Sequence, residues 1–293
     1  MKFLNFGSLN IDIVYTVPRF VTGGETLSSF SYAEYPGGKG LNQSIALAKS
    51  GAQVFHAGKI GKDGLFLKQE LALEGISVEG IYEDGSITGH AIIQVASTGE
   101  NCILLYGGAN KEITVEHIDK VLGDFNSDDI LVLQNEINCL DYLVNAAHKK
   151  GLTIALNPSP ISESIKNLDF SKIDFLILNE IEGREISGEK SPNRVLDYLL
   201  SNYSNLKVVL TLGTNGVVYR VNVQEYKQEA YKVKVKDTTA AGDTFLGYFL
   251  SMISQKSDIK FALTVASKAA SLAVSRKGPS SSIPVLAEVL GNR

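Results

Sequence analysis

The sequence predicts an α/β protein: a doubly wound, mostly parallel sheet flanked by helices, with a small antiparallel β-sheet lid. Two observations support this fold class. Short apolar runs alternate with amphipathic stretches along most of the 293 residues, which is typical of parallel strands that are buried on both faces. Two other segments alternate apolar and polar residues with a period of two, as strands with one solvated face do.

The main sheet is predicted from four apolar runs and the segments between them. The runs are ILVLQ (130–134), TIALN (153–157), FLILN (175–179) and VVLTLG (208–213). Amphipathic segments at 139–150 and 192–203 have the spacing of helices in βαβ crossovers. A parallel sheet covered by helices on both faces follows from this alternation.

The period-two segments are NIDIVYTV, which begins at Asn10, and TGHAIIQVASTGENCILLY, which contains a TGEN turn at 98–101. They predict a discontinuous lid of residues 10–36 and 88–106 on a core of residues 1–9, 37–87 and 107–293. The pattern leaves two interpretations open. The strands either form a flap over a site or extend the main sheet as an edge hairpin.

Composition points to a small-molecule partner. The formal charge of −4, with 20% charged residues, gives no basic field of the kind that attracts nucleic acid or anionic membranes. Cys102 and Cys139 lie far apart without metal-ligand spacing and are predicted to be reduced core residues. With no targeting segment or membrane span recognised in the sequence, a cytoplasmic location is expected.

Two glycine-containing turns precede predicted helices. A Gly-Gly-Lys-Gly turn at 37–40 leads into a helix from about Leu41 to Ser50, and DTTAAGDTFLG (237–247) opens a helix near Ala241. Small residues leave the first N–H groups of that second helix open to a phosphoryl group, while Asp243 could accept a proton from an attacking alcohol. The alternative is an acidic residue that only offsets the helix dipole.

Polar clusters follow three of the predicted parallel strands, where open α/β sheets place their ligands. The clusters contain Glu136 in LQNE, Asn179 and Glu182 in LNEIEGRE, and Thr211, Gly213 and Gly216 in TLGTNG. A carboxylate and an amide three residues apart could face a hydrated Mg²⁺. Each cluster taken alone is more commonly only a helix cap and a turn.

Taken in order, these motifs resemble the ribokinase-like carbohydrate kinases, the phosphofructokinase B type. The resemblance extends over nearly the whole chain and rests on GSLNID, GGKGLNQ, GANKEIT, LQNE, LNPSP, LNEIEG, TLGTNG, DTTAAGDTF and SRKGPSSSIP. It implies an ATP-dependent phosphotransferase with an alcohol acceptor, which transfers the γ-phosphate to the 5-hydroxyl of D-ribose. Another sugar, a nucleoside, or a non-catalytic sugar-sensing role remain the alternatives.

The resemblance also implies roles for individual residues. Asp243 would be the catalytic base, and the backbone of Ala240, Ala241, Gly242 and Asp243 would form an anion hole. The sugar would contact Asn10, Asp12, Gly38, Lys39, Asn42, Glu136 and Asp243. ATP would contact Asn179, Thr211, Gly213, Gly216 and Gly242, with Mg²⁺ near Asn179 and Glu182. A monovalent cation, normally K⁺, would lie near Asp237, Thr239, Ala273, Arg276, Gly278 and Ser282.

The predicted lid has apolar character on both faces. Ile92 lies opposite a row formed by Ala91, Ile93 and Val95. Because an exposed apolar sheet favours a partner, a homodimer through the lid is expected.

Overall fold

The computed structural model describes residues 1–291, which fold into two separate sheets and the helices around the larger one. The strands are β1 (Phe3–Phe6), β2 (Asn10–Val17), β3 (Ser31–Gly37), β4 (Val54–Lys59), β5 (Ser77–Tyr82), β6 (Gly89–Ala96), β7 (Asn101–Tyr106), β8 (Ile130–Gln134), β9 (Thr153–Asn157), β10 (Phe175–Asn179), β11 (Lys207–Thr211), β12 (Val217–Val221) and β13 (Gln224–Gln228).

The helices follow the strands in the alternating order that the sequence predicts. They are α1 (Lys39–Lys49), α2 (Leu65–Leu73), α3 (Val115–Leu122), α4 (Leu140–Lys150), α5 (Glu163–Lys166), α6 (Glu180–Ser187), α7 (Pro192–Asn202), α8 (Ala241–Ser254), α9 (Ile259–Val274) and α10 (Leu286–Leu290). None of the helices in this described part of the chain has the length and apolar character needed to cross a membrane.

The larger sheet confirms the predicted fold class. Its nine described strands run in the order β13-β12-β11-β10-β9-β8-β1-β4-β5. Neighbours from β11 to β5 pair in parallel, and only β12 and β13 are antiparallel. One apolar core packs α1, α2, α8 and α9 on one face, while a second packs α3, α4 and α7 on the other. The carboxyl ends of the parallel strands therefore meet at one edge, where ligands bind in such sheets.

The smaller sheet has the order β3-β2-β6-β7, so these strands form a separate flap rather than an edge hairpin of the main sheet. The predicted antiparallel pairing is correct for β2–β3 and β6–β7 but wrong for the central pair, because β2 and β6 are parallel. The chain leaves the core in the same direction along β2 and β6, and it returns along their antiparallel neighbours, β3 and β7. Two local hairpins therefore meet through a parallel pair.

The prediction that both cysteines are core residues is also wrong for Cys102, which is exposed on β7, whereas Cys139 is half-buried. The strand β7 is at the open edge of the small sheet. All six of its residues are exposed, so within residues 1–291 no segment buries their side chains on either face.

Helices α1 and α8 cross closely above the edge of the main sheet. A Cβ at Gly247 would be 2.8 Å from the backbone nitrogen of Leu47 and 2.5 Å from Cβ of Ala46. Asp243 lies one turn before Gly247, and Gln43 lies one turn before Leu47. Since residues four apart share a helix face, this crossing brings Asp243 and Gln43 together.

Candidate active site

Glycines allow the first turn of α1 to approach the loop between β1 and β2. Gly38 precedes the helix with a φ of 95°, a backbone conformation that favours glycine. A Cβ at Gly40 would lie 2.6 Å from the backbone carbon of Gly7. The Gly-Gly-Lys-Gly turn is thus pressed against backbone, and no larger residue fits at Gly40 without a shift of one segment.

Glu136 lies beneath this turn, immediately after β8. Its carboxylate accepts hydrogen bonds from the hydroxyl of Ser8 and, at 3.1 Å, from the backbone N–H of Lys39. Burial alone would lower the pKa of the Lys39 ammonium, but the carboxylates of Asp243, Glu136 and Glu182 outweigh that effect and raise it. Lys39 therefore stays charged, within electrostatic reach of three carboxylates that the sequence predicts for the site.

Asn10 and Asp12 extend from the same side of β2 toward this region. The side-chain oxygen of Asn10 accepts a 2.7 Å hydrogen bond from the amide of Asn110, which leaves the Asn10 amide as a donor. Burial and the nearby charge of Glu136 raise the pKa of Asp12 to about 7. Burial also lowers the pKa of Lys111, although Glu136 opposes that shift.

The N-terminus of α8 is open, as the sequence predicts for an anion site. Ala240 precedes the helix in the left-handed region with a φ of 58°, which is uncommon for a residue with a Cβ. Its carbonyl accepts a 2.8 Å hydrogen bond from the N–H of Thr244. No described residue accepts a bond from the N–H of Gly242 or Asp243, and a Cβ at Gly242 would meet no atom within 4 Å. Two N–H donors thus face open space at a positive helix end.

The side chain of Asp243 is buried, with 7% exposure. Its Oδ1 accepts a 2.8 Å hydrogen bond from the amide of Gln43, and the Asn42 amide lies 3.4 Å from Oδ2. The side-chain oxygen of Asn42 is buried without a hydrogen-bond partner among the described residues. An unpaired buried acceptor is costly, so this oxygen is well suited to receive a ligand hydroxyl.

Asn179 and Glu182 form a capping box at the start of α6. The Asn179 oxygen accepts hydrogen bonds from the N–H groups of Ile181 and Glu182, each 2.9 Å. The two oxygens of Glu182 accept from the side chain and backbone N–H of Asn179, at 2.8 and 2.9 Å. Because both side chains already bind each other and the helix end, their oxygens suit Mg²⁺ that is held through its water ligands rather than by direct coordination.

Three residues predicted to contact ATP lie at the end of β11 and in the turn that follows it. Thr211 is aligned with Asn179 across β10 and β11. Gly213 has a φ of 56°, and no atom lies within 4 Å of the position that a Cβ would occupy there. A Cβ at Gly216, which has a φ of 91°, would instead lie 2.9 Å from Cα of Glu229. Gly213 is therefore open to a ligand, while Gly216 is required by close packing of the backbone.

The six predicted cation residues come from two segments that the fold joins. Asp237 accepts hydrogen bonds from the N–H of Thr239 at 2.9 Å and of Gly278 at 3.1 Å. Burial alone would raise the pKa of Asp237, but hydrogen bonds from the Thr239 hydroxyl and from these two N–H groups lower it. The carbonyl of Ala273, at the end of α9, accepts a 3.0 Å hydrogen bond from the N–H of Arg276. Ser282 is the last residue of the short helical turn Ser280–Ser282. The guanidinium of Arg276 pairs with Glu288. Because a guanidinium is itself a cation without an acceptor atom, only the backbone oxygen of Arg276 could hold an ion.

Three residues that connect the predicted ones were not predicted from the sequence. Gln43, Ser8 and Asn110 contact Asp243, Glu136 and Asn10, respectively. Each belongs to a motif quoted above, at a strand end or a glycine turn, and that position was the available signal. Their partners lie between 100 and 200 residues away in sequence, so the pairings depend on the tertiary fold.

Comparisons with known proteins show the family to which the chain belongs. The model of the pfkB family carbohydrate kinases matches residues 2–286. A ribokinase of Staphylococcus aureus is 36% identical over 98% of both chains. Among solved structures, ribokinase from Cryptococcus neoformans in complex with ADP has a TM-score of 0.87 at 30% identity, covering 100% of this chain and 99% of that one. Arabidopsis thaliana ribokinase complexed with ribose and ATP has a TM-score of 0.86 at 26% identity, covering 99% and 98%. The chain belongs to the pfkB family of carbohydrate kinases, phosphotransferases that act on an alcohol group of a sugar.

Proposed function

We propose that this protein transfers the γ-phosphoryl group of ATP to the 5-hydroxyl of D-ribose, giving ribose 5-phosphate. The observation that carries the proposal is the pairing of a buried carboxylate, Asp243, with two unpaired N–H groups on the same helix end. One can accept the proton of an alcohol while the others hold the phosphoryl group. The relatives named ribokinase, and the one solved with ribose and ATP, support ribose as the acceptor.

The sugar is proposed to lie between β2, the first turn of α1 and Glu136. Carboxylates of Asp12 and Glu136 would accept hydrogen bonds from sugar hydroxyls, and the amide of Asn10 would donate one. The unpaired oxygen of Asn42 would accept another, next to the base. Backbone at Gly38 would give the sugar close access. Such positioning converts the transfer into an effectively intramolecular step.

In the chemical step, Asp243 would take the proton from the 5-hydroxyl as the oxygen of that hydroxyl attacks the γ-phosphorus. The bond between that phosphorus and the β–γ bridging oxygen breaks, and ADP leaves with the electron pair. N–H groups of Gly242 and Asp243, at the turn formed by Ala240 and Ala241, would stabilise the charge on the transferring group. The ammonium of Lys39, kept charged by its three carboxylate neighbours, would add to this. Phosphoryl transfer depends mainly on such positioning and charge neutralisation.

ATP is proposed to bind beyond the anion hole, along Asn179, Thr211 and Gly213, with Gly216 shaping the turn. Asn179 and Glu182 would orient the water ligands of Mg²⁺, which neutralises phosphate charge when bound. We also propose a monovalent cation, K⁺, on the carbonyl oxygens around Asp237, Thr239, Ala273, Arg276, Gly278 and Ser282. The hydrogen bond between Asp237 and Gly278 already joins the two segments beside the start of α8.

The acceptor is tested by coupled detection of ADP with ribose, 2-deoxyribose, fructose and adenosine. Turnover should be greatest with ribose, and Asp243→Asn should lower kcat by about 10²- to 10⁴-fold, the usual contribution of a general base. Turnover with adenosine but not with ribose would instead identify a nucleoside kinase. Absence of turnover with every acceptor, despite sugar binding, would favour a sensing role.

We propose further that residues 10–36 and 88–106 act as a lid unit, and that a second copy of this chain covers it. β7 carries four consecutive large apolar or aromatic side chains, Ile103 to Tyr106, each at least 45% exposed. The strand is at an open sheet edge, where backbone groups also lack partners. Because an edge with apolar side chains on both faces suits a sheet of the same kind, the expected assembly is a homodimer.

The assembly is tested by light scattering coupled to size exclusion. Wild type should have the mass of a dimer, and Leu104→Glu on β7 should shift it toward monomer. Leu73→Glu is the matched control, because Leu73 is a still more exposed leucine, 84%, at the end of α2. A monomeric wild-type protein, or equal effects of the two substitutions, would contradict the proposed interface.

A further inference from the structure

A chain of buried amides runs from the interior of the main sheet to the carboxylate of Asp243. Gln43, Gln134 and Asn5, on α1, β8 and β1, are all 0% exposed. The Gln134 amide donates to the side-chain oxygens of Asn5 at 3.0 Å and of Gln43 at 2.7 Å. Gln43 in turn donates to Oδ1 of Asp243 at 2.8 Å. We call these three side chains the amide chain.

The direction of every hydrogen bond in the amide chain follows from backbone carbonyls. Asn5 donates at 2.8 Å to the carbonyl of Gly40, which can only accept, so the Asn5 oxygen must face Gln134. The Gln134 amide nitrogen then faces both neighbours, and the Gln43 oxygen must accept from it. That leaves the Gln43 nitrogen turned toward Asp243.

A second backbone anchor gives the same direction from the other side. Asn157, at the end of β9, donates at 3.0 Å to the carbonyl of Ile177, which turns its own oxygen toward Gln43. The Gln43 nitrogen lies 3.5 Å from that oxygen. A reversed Gln43 amide would place its oxygen against the acceptor oxygens of both Asn157 and Asp243, an arrangement without any donor.

We propose that Gln43 is a positioning residue that decides which oxygen of Asp243 acts as the base. Its donor occupies Oδ1, so Oδ1 remains an acceptor of that hydrogen bond. Oδ2 has only the 3.4 Å contact with the Asn42 amide and is the oxygen left to take the proton. The inference rests on the proposed kinase function and assigns the orientation of its base, which neither the motifs nor the comparisons assign.

The surroundings of Asp243 offer no equivalent support for the carboxylate. Lys39 on α1 interacts electrostatically with Asp243, and also with Glu136 after β8 and Glu182 on α6. None of these makes a hydrogen bond to Asp243 among the described residues. Without Gln43, the carboxylate could turn about its side-chain torsion and present either oxygen or neither. A charge-assisted hydrogen bond in a buried site is strong enough to prevent this.

The test compares Gln43→Met, which keeps the length but removes the donor, with Gln43→Glu, which keeps the shape and offers an acceptor. At pH 8, kcat should fall about 10- to 100-fold in Gln43→Met, the loss expected for one hydrogen bond to a charged group, and at least as far in Gln43→Glu. KM for sugar and for ATP should change less than about threefold, since neither is contacted.

Two further variants separate orientation from packing. Gln134→Met does not touch Asp243 but releases the Gln43 amide, so kcat should fall by a smaller factor with KM unchanged. Ser251→Ala is the matched control, because it removes a buried hydrogen bond from Ser251 to the carbonyl of Ser50, 3.3 Å, between the same two helices. It should lower the unfolding midpoint but leave kcat as in wild type. A kcat within threefold of wild type in Gln43→Met, or an equal fall in Ser251→Ala, would overturn the inference.

Failure of the proposed function would be visible separately. Turnover of ribose by wild type tests the function. The ratio of the variant's kcat to the wild-type kcat, measured with whichever acceptor wild type uses, tests the position of the base. The side-chain amide signal of Gln43 in ¹⁵N NMR, identified by its loss in Gln43→Met, needs no acceptor. It should shift in Asp243→Asn but not in Ser251→Ala, and an unchanged signal in Asp243→Asn would refute the contact.

Discussion

The carboxyl group of Asp12 should make sugar use depend on pH near neutrality. Burial and the charge of Glu136 raise its pKa from the usual 3.8 to about 7. Roughly one molecule in ten is then ionised at pH 6 and about nine in ten at pH 8. If the ionised form accepts hydrogen bonds from the sugar, kcat/KM for the sugar should rise about tenfold over this interval.

The same shift has the opposite effect on stability. Asp12 binds its proton more tightly in the folded protein than in the unfolded chain, so folding is favoured at low pH and loses stability as pH rises from about 4 through 7. A shift from 3.8 to about 7 corresponds to at most about 4 kcal/mol at high pH. Without sugar, Asp12→Asn should therefore be more stable than wild type at pH 8, and the difference should shrink toward pH 4.

The assay measures kcat/KM for the sugar at saturating Mg·ATP from pH 5.5 to 8.5, together with urea unfolding at both ends of that range. Asp12→Asn should have low, pH-independent kcat/KM. Glu136→Gln, which removes the neighbouring charge but leaves the burial, should move the midpoint of the wild-type profile to lower pH. A flat wild-type profile between pH 6 and 8, or the same profile in Asp12→Asn, would contradict this role for Asp12.

Three further predictions concern the turn, the cap and the cation. Gly40→Ala places a Cβ 2.6 Å from the backbone of Gly7 and should cost about 1–3 kcal/mol in urea unfolding, whereas Gly23→Ala, with nothing within 4 Å, should change stability little. Asn179→Ala removes the α6 cap, so the free energy of unfolding should fall by about 1 kcal/mol and KM for Mg·ATP should rise. The control Ser191→Ala, which removes the cap of α7, should lower stability without changing KM. An equal KM for Mg·ATP in the two variants would contradict a nucleotide role for Asn179. At constant ionic strength, KCl should give a higher kcat than choline chloride, and identical rates would exclude the proposed K⁺ site.

Much of the fold can be predicted from local pattern. Apolar runs that are buried on both faces have one stable setting, between helices in a parallel sheet, and the predicted runs at 130–134, 153–157 and 175–179 coincide with β8, β9 and β10. Small residues ahead of an amphipathic stretch likewise predicted the start of α8 near Ala241. In these segments the information is contained within a few consecutive residues.

The direction of strand pairing in the lid is different, because period-two patterns are the same in parallel and antiparallel sheets. Only the route of the chain out of the core makes β2 and β6 parallel. The sequence pattern of Asn179 and Glu182 is likewise common to two structures, a capping box and a pair that faces a hydrated ion. The structure shows the capping box.

The fold class, the family motifs and Asp243 at an open helix end follow from the sequence alone, because each depends on local periodicity or on short runs of residue types. What surrounds that carboxylate depends on how the chain folds. Gln43 and Asp243 are 200 residues apart in the chain, and their contact exists because α1 and α8 cross at Gly247. The pKa of Asp12 likewise depends on burial and on Glu136, and no local pattern contains either, since both arise only when distant segments pack together.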